Sequence, residues 1–245
     1  MASYTSRLKD AMPQLSQTNK PKTFSEIFKG YTTWFNHVIK VHKYAMINTK
    51  HLWKFITRGA MVLSADNQRG IDIVIPVCKK DAKLSRHTVT AILVQVKNDI
   101  TFSNKVDATL FHGMNPFDVG LFSKGDTALP VVRMVFALAS DIGGVEIPRP
   151  GLKHHPSKYT VFDIWCAGVS EDTFRDIGSD LFHYKSLLLR SVKLQDALDL
   201  KEVKDNYRSK EMIQARGGLR RRMAPLMDPN DVHNHIHTTP GIPHH

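Results

Sequence analysis

Gly70-Ile71-Asp72-Ile73-Val74-Ile75-Pro76-Val77 and Thr90-Ala91-Ile92-Leu93-Val94-Gln95-Val96-Lys97-Asn98 are the two stretches whose reading decides the fold. Both are dense in Ile and Val and about strand length, so they read as buried β-strands. The link from Cys78 to Val89 carries Lys79, Lys80, Asp81 and Ser85, which suits a short surface connection. Antiparallel pairing sets the start of the first strand beside the end of the second. Asp72, Gln95 and Lys97 then gather at one end of the sheet. Residues i and i+2 of a strand share a face, so Gln95 and Lys97 are expected to point one way and Val96 into the core. A carboxylate, an amide oxygen and an ammonium placed together suit a divalent metal and a phosphate.

Working outward, Phe24 to Ile39 has apolar residues at helical spacing (Ile27, Phe28, Tyr31, Trp34, Phe35, Val38), with Thr23 or Ser25 as a cap. Glu26 falls in the first turn of that expected helix, where the dipole favours a negative charge. A short helix is expected over Asn48–Thr57 and a strand over Ala60–Ala65, with a turn from Asp66 to Gly70. Downstream, the pattern predicts a helix over Asn104–Phe111 and a loop from Gly113 to Gly125. A central strand is expected over Pro130–Ala139 and a long loop from Asp141 to Ser157. Tyr159–Ala167 reads as another strand, and Ser170–Leu189 as a helix capped by Ser170. The sum is an α/β domain, a mixed sheet of four or five strands flanked by helices, over residues 23–203. Residues 1–22 read as a flexible lead-in. Residues 204–245 read as a tail, first basic and then His- and Pro-rich, with no apolar periodicity.

The spacing of Asp72, Gln95 and Lys97 resembles the PD-(D/E)XK nuclease superfamily, the restriction-endonuclease-like fold. Its core is a helix with an acidic residue, a hairpin carrying Asp and then (Glu/Gln)-x-Lys, and a further helix and strands. The resemblance covers roughly Phe24 to Gly168. The phrasing Arg58-Gly59-Ala60-Met61, Gly70-Ile71-Asp72 and Val94-Gln95-Val96-Lys97-Asn98 is also similar to a group of uncharacterised basidiomycete fungal proteins. In that group the segment is usually part of a longer chain.

The resemblance implies hydrolysis of DNA phosphodiester bonds with Mg²⁺ or Mn²⁺. Such chemistry needs charge neutralised at the phosphate, an activated water and a stabilised leaving oxygen. Mg²⁺ suits it, binding few hard oxygens and keeping its other waters. The resemblance makes Asp72 the anionic ligand, Gln95 an amide-oxygen ligand and the Val96 carbonyl the last protein ligand. Lys97 would orient the water or steady the phosphorane, and Glu26 is the candidate helix carboxylate. Gln95 stands where Glu is commoner, one negative charge fewer, unless Glu26 or Asp99 supplies it. The alternative class is a catalytically inactive module of the same fold that binds nucleic acid or another partner. Read alone, Asp72 is a turn cap after Gly70, and Glu26 a solvated helix-start charge.

Composition agrees with an anionic partner. The 245 residues carry a net charge of +11, and 42% are hydrophobic, enough for a sizeable core. Arg69, Lys79, Lys80 and the cluster Arg220, Arg221, Arg222 are the expected backbone contacts. Cys78 and Cys166 read as reduced thiols in apolar runs. There is no secretory h-region and no run of bilayer-spanning length, so an intracellular place, nuclear or cytoplasmic, is expected. His233, His235, His237, His244 and His245 in the tail read as an opportunistic metal binder, and His154-His155 as loop residues. No P-loop, Gly-x-Ser-x-Gly, His-Glu-x-x-His or dinucleotide fingerprint is present.

Overall fold

In chain order the elements are helices α1 (Tyr4–Lys9) and α2 (Phe24–Phe28), strands β1 (Tyr31–Thr32) and β2 (His37–Lys40), helix α3 (Thr49–Thr57), strands β3 (Ala60–Leu63), β4 (Ile73–Lys79) and β5 (Val89–Lys97), helix α4 (Ala108–Gly113), and strands β6 (Val131–Ala137), β7 (Gly144–Glu146) and β8 (Val161–Ala167). The computed structural model describes residues 4–65, 68–99, 102, 105–148 and 157–188. The basic and His-rich tail, including Arg220, Arg221 and Arg222, and the pair His154-His155 lie outside the described residues.

The two Ile- and Val-rich runs form the antiparallel hairpin β4–β5, in a register that pairs Ile73 with Val94 and Val77 with Thr90. β3 continues the meander antiparallel to β4. β6 then joins parallel to β5, and β8 parallel to β6. The result is an α/β fold with one mixed sheet of eight strands among the described residues, ordered β2-β3-β4-β5-β6-β8-β7, with β1 also on β4. The expected strands are β3, β4, β5, β6 and β8. The strands added to them, β1, β2 and β7, run two to four residues, too short to carry an apolar pattern of their own.

Two faces of the sheet are covered. One packs α3 through Leu52, Phe55 and Ile56, and α4 through Phe111, onto Val74, Leu93, Val135 and Trp165, and this is the main core. The other holds Leu8 of α1 with Phe24 and Phe28 of α2 against Val132, Ile164 and Cys166. Burying a side chain of Leu or Phe size stabilises by about 1.5–3 kcal/mol, so the larger face dominates the fold.

Several expectations give way. The long helix over Phe24–Ile39 stops at Phe28, and the chain turns into β1 and β2. Phe24 and Phe28 are the helical pair. Trp34, Phe35 and Val38, which continue the same spacing, are exposed at 52%, 45% and 45%. Gly30 and the β-branched Thr32-Thr33 disfavour helix there. The expected Asp141–Ser157 loop contains β7, paired with β8. The expected Ser170–Leu189 helix begins as turns and a 3-10 segment over Arg175–Asp180, broken at Gly178 (φ +56°), and is α-helical only over 181–188. The lead-in is docked on the sheet. Leu15 bridges Val161, Gln14 N–H donates to the Val161 carbonyl at 2.9 Å, and the Gln14 side chain accepts from Asp163 N–H. Backbone groups, the Gln14 amide and the scattered apolar Leu8 and Leu15 carry that docking, too sparse a set to stand out in a polar segment. Among the described residues no helix is long and apolar enough to cross a membrane.

Candidate functional site

Asp72 sits one residue before β4, just after a turn that only glycine can make. Gly70 has φ +85°, and a Cβ there would lie 2.1 Å from the Gly113 carbonyl oxygen at the end of α4. The close backbone approach therefore seats α4 against the turn that presents Asp72. Asp72 is tied on both sides: its N–H donates to the Val94 carbonyl at 2.8 Å, and its carbonyl accepts from Ser64 N–H at 2.8 Å. Its carboxylate Oδ2 accepts from the Val96 backbone N–H at 2.7 Å. The sequence-predicted meeting of Asp72 with the Gln95-Val96-Lys97 segment is thus present.

Gln95 pairs with Val135 of β6, which pairs with Trp165 of β8, so its side chain lies on the main core face. It is only 7% exposed, and its Oε1 has no hydrogen-bond partner among the described residues. A buried amide oxygen without a protein donor is an acceptor open to a water or a cation. Ser64 Oγ, beside Asp72 on β3's continuation, and Gln68 Oε1 are buried and unpartnered in the same sense. The expected orientation is reversed in depth: Gln95 is buried and Val96 only half-buried, because the face shared by Leu93 and Gln95 is the one that α3 and α4 cover. Lys97, two residues on, has its Nζ 5.4 Å from the centre of the Phe102 ring, a cation–π contact that holds the ammonium near the strand end.

Glu26 does not join them. α2 packs through Phe24 and Phe28 against Phe162, with the ring centres of Phe24 and Phe162 5.2 Å apart. Phe162 and Trp165 are three apart in β8 and project from opposite faces. α2 therefore lies across the sheet from Gln95. The Glu26 carboxylate instead closes a capping box with Thr23, accepting its N–H at 2.7 Å, and these hydrogen bonds hold its carboxyl below the usual range. The helix that precedes the meander on the Gln95 face, α3, has the sequence TKHLWKFIT and no carboxylate. Among the described residues there is no group of three or more His, Cys, Asp or Glu placed to hold a metal.

The basic contacts divide. Arg69 is exposed three residues before Asp72, at the same end of the sheet. Lys79 and Lys80 are exposed at the far end of β4, roughly 20 Å away at about 3.3 Å per strand residue. Cys166 is a free buried thiol, pushed by burial up to about 12, and Cys78 is free and half-buried.

Sequence reading missed a buried ion pair on the same core face. Arg133 of β6 and Asp163 of β8 are direct register partners. Arg133 donates from Nε to Oδ1 and from Nη2 to Oδ2, each at 2.7 Å, and from Nη1 to the Phe111 carbonyl at 2.6 Å. Burial raises the Asp163 carboxyl above its usual range, with Arg133 opposing the shift. The signal was there to find: opposite charges stand at the third position of two otherwise apolar strands. With every side fully engaged, the pair anchors α4 to the sheet.

Compared with protein-family models, curated proteins and solved structures, the chain matches none.

Proposed function

We propose that the chain is a metal-dependent nuclease domain, or one derived from such a nuclease, acting on DNA with a restriction-endonuclease-like core. The observation that carries this reading is the hydrogen bond from Val96 N–H to Asp72 Oδ2, beside the buried and unpartnered Gln95 Oε1. The element order also supports it. A helix (α3, without the acidic residue of the resemblance), a hairpin carrying Asp and then Gln-x-Lys, a further helix (α4) and parallel strands follow one another in that order.

The residues fit one hard cation such as Mg²⁺, which takes one or two carboxylates and completes its shell with water and substrate oxygens. Asp72 through its free Oδ1, Gln95 through Oε1 and the Val96 carbonyl would hold it. When bound, it would neutralise phosphate charge and lower the pKa of a coordinated water. The protein's own part is positional. Val96 N–H fixes the Asp72 carboxylate, burial fixes the Gln95 amide, and Lys97 offers a cation to the phosphate. Arg69, exposed at the same end, suits a neighbouring phosphate.

A second reading is favoured by one observation. With Glu26 across the sheet, the site holds Asp72 as its carboxylate and a neutral Gln95. That suits a nuclease-like module that binds nucleic acid without cutting it, through salt-sensitive phosphate contacts. Cleavage of supercoiled plasmid and of single-stranded DNA with Mg²⁺ or Mn²⁺, run beside Asp72→Asn, separates the two. Metal-dependent nicking lost in the variant supports the nuclease. Salt-sensitive binding without nicking supports the module, and neither result would overturn both.

A further inference from the structure

The link between β1 and β2 carries two adjacent aromatic residues that belong to neither core. Trp34 and Phe35 are 52% and 45% exposed. The link is held on both sides of them. Thr33 Oγ1 donates to the Pro76 carbonyl at 2.6 Å, and Asn36 N–H donates to the Gly59 carbonyl at 2.8 Å. The six-membered ring of Trp34 rests against Gly59, where a Cβ would collide with its Cζ3. Gly59 also has φ +64°, so this seat is built for glycine. A ring already held in place loses little freedom when something docks on its open side.

The surroundings are basic. At the start of the link, Tyr31 of β1 pairs with Lys79, and Lys80 N–H donates to the Gly30 carbonyl at 2.9 Å. The two exposed lysines that stand far from Asp72 are therefore neighbours of the aromatic pair. At the end of the link, the exposed Arg58 directly precedes Gly59. From Ile27 to Ala65 the chain has six Lys or Arg and no Asp or Glu. Asp81, exposed beside Lys80, is an opposing charge.

Open rings among cations suit a partner that alternates flat faces with anions, and a nucleic acid strand does this at every residue. Its bases stack on aromatic side chains, and its phosphates meet Lys and Arg. In a duplex the base faces are covered by their neighbours, so rings offered for stacking select an unpaired strand. A membrane fits less well, because the apolar tip is two residues long between the polar Thr33 and Asn36, with half of each ring already seated. A second copy fits less well too, since a two-fold contact would set this basic surface against itself.

We propose that the Trp34–Phe35 link holds single-stranded DNA, with bases stacked on the two rings and phosphates at Lys79, Lys80 and Arg58. The inference rests on the nucleic-acid reading above and names the form of strand that is held.

The test is the fluorescence anisotropy of labelled (dT)20 titrated with the full chain in EDTA, beside a blunt duplex of the same length. The strand should bind saturably and about tenfold tighter than the duplex. Trp34→Leu and Phe35→Leu keep apolar bulk and lose the ring, and each should weaken strand binding about tenfold. Trp34→Phe should keep most of it. Thermal unfolding of Phe35→Leu should match the parent chain, which separates lost binding from lost fold. Lys79→Glu with Lys80→Glu should weaken binding and flatten its dependence on salt. Without metal no metal-dependent cleavage occurs, so failed plasmid nicking leaves this result standing, and failure here leaves nicking as it was. No saturable strand binding overturns the proposal, as does a duplex bound as tightly as the strand. Binding that both leucine variants leave intact, as the arginines beyond residue 204 alone would give, overturns it too. Capture by phosphatidylserine vesicles, or a dimer in sedimentation, lost in Trp34→Leu while strand binding is unchanged would give the link to a membrane or a second copy instead.

Discussion

The Asp72 carboxylate takes the place of a main-chain acceptor: its Oδ2 receives the Val96 N–H at 2.7 Å, at the point where the β4–β5 ladder ends. Replacing it separates two roles. Asp72→Asn keeps an oxygen for Val96 and should unfold like the parent chain, while any metal-dependent cleavage is lost. Asp72→Ala should lose cleavage and, in addition, roughly 1 kcal/mol of stability from the unmet N–H. Denaturant unfolding run beside plasmid nicking checks both, and full cleavage by Asp72→Asn would remove Asp72 from the site.

Gln95→Glu restores a charge at a position only 7% exposed. Without metal the buried carboxylate should cost about 3 kcal/mol. With Mg²⁺ or Mn²⁺ at about a hundred times its dissociation constant, about 2.7 kcal/mol should return. Thermal unfolding in EDTA and in each metal reads this directly. A variant whose loss is the same with and without metal would show that the Gln95 oxygen faces no cation.

Arg133→Met strands the Asp163 carboxylate in the core and should cost about 3–5 kcal/mol, whereas Arg133→Met with Asp163→Leu should recover most of it. The pH dependence has a defined sign. Burial raises Asp163 above its ordinary 3.8, so its charged form is disfavoured in the folded chain. The cost is absent below the ordinary value and grows as pH rises toward the folded one. Arg133 opposes that rise, so without it the carboxyl moves higher still, and the Arg133→Met deficit against the parent chain should be larger at pH 7 than at pH 5. A deficit that grows on acidification would contradict a stranded carboxylate.

Gly70→Ala meets two obstacles, a φ of +85° and a Cβ 2.1 Å from the Gly113 carbonyl oxygen. The strained backbone alone is worth about 1–3 kcal/mol. The expected outcome is lower stability together with loss of whatever Asp72 does, because the turn and α4 move as one. Gly113→Ala, whose Cβ would stand 3.8 Å from Gly70 Cα, should be far milder. Equal effects from the two substitutions would argue against the contact.

The hairpin was legible because Ile73 to Val77 and Ala91 to Val94 are apolar at every position and rich in Ile and Val, which suits a strand buried on both sides. Asp72 and the Gln95-Val96-Lys97 segment followed from its register. The Phe24–Ile39 segment misled because aromatic residues at spacings of three and four also arise when a short helix is followed by exposed edge strands. Glu26 fell with it, since a sequence does not say which face of a sheet a helix will cover. The Arg133–Asp163 pair was hidden by its separation of thirty residues: each charge looked isolated until β6 and β8 lay side by side.

That pair also constrains how the chain can change over generations. Losing either member first passes through a form with a stranded charge, costly enough to undo much of a typical domain's stability. Drift away from it must take both steps nearly together, or pass through a neutral polar residue at one position. Descendants and ancestors of this chain should hold both charges or neither. A genome survey that aligned no more than β6 and β8 could recognise kin by that coupling, even where the residues around Asp72 have been rewritten.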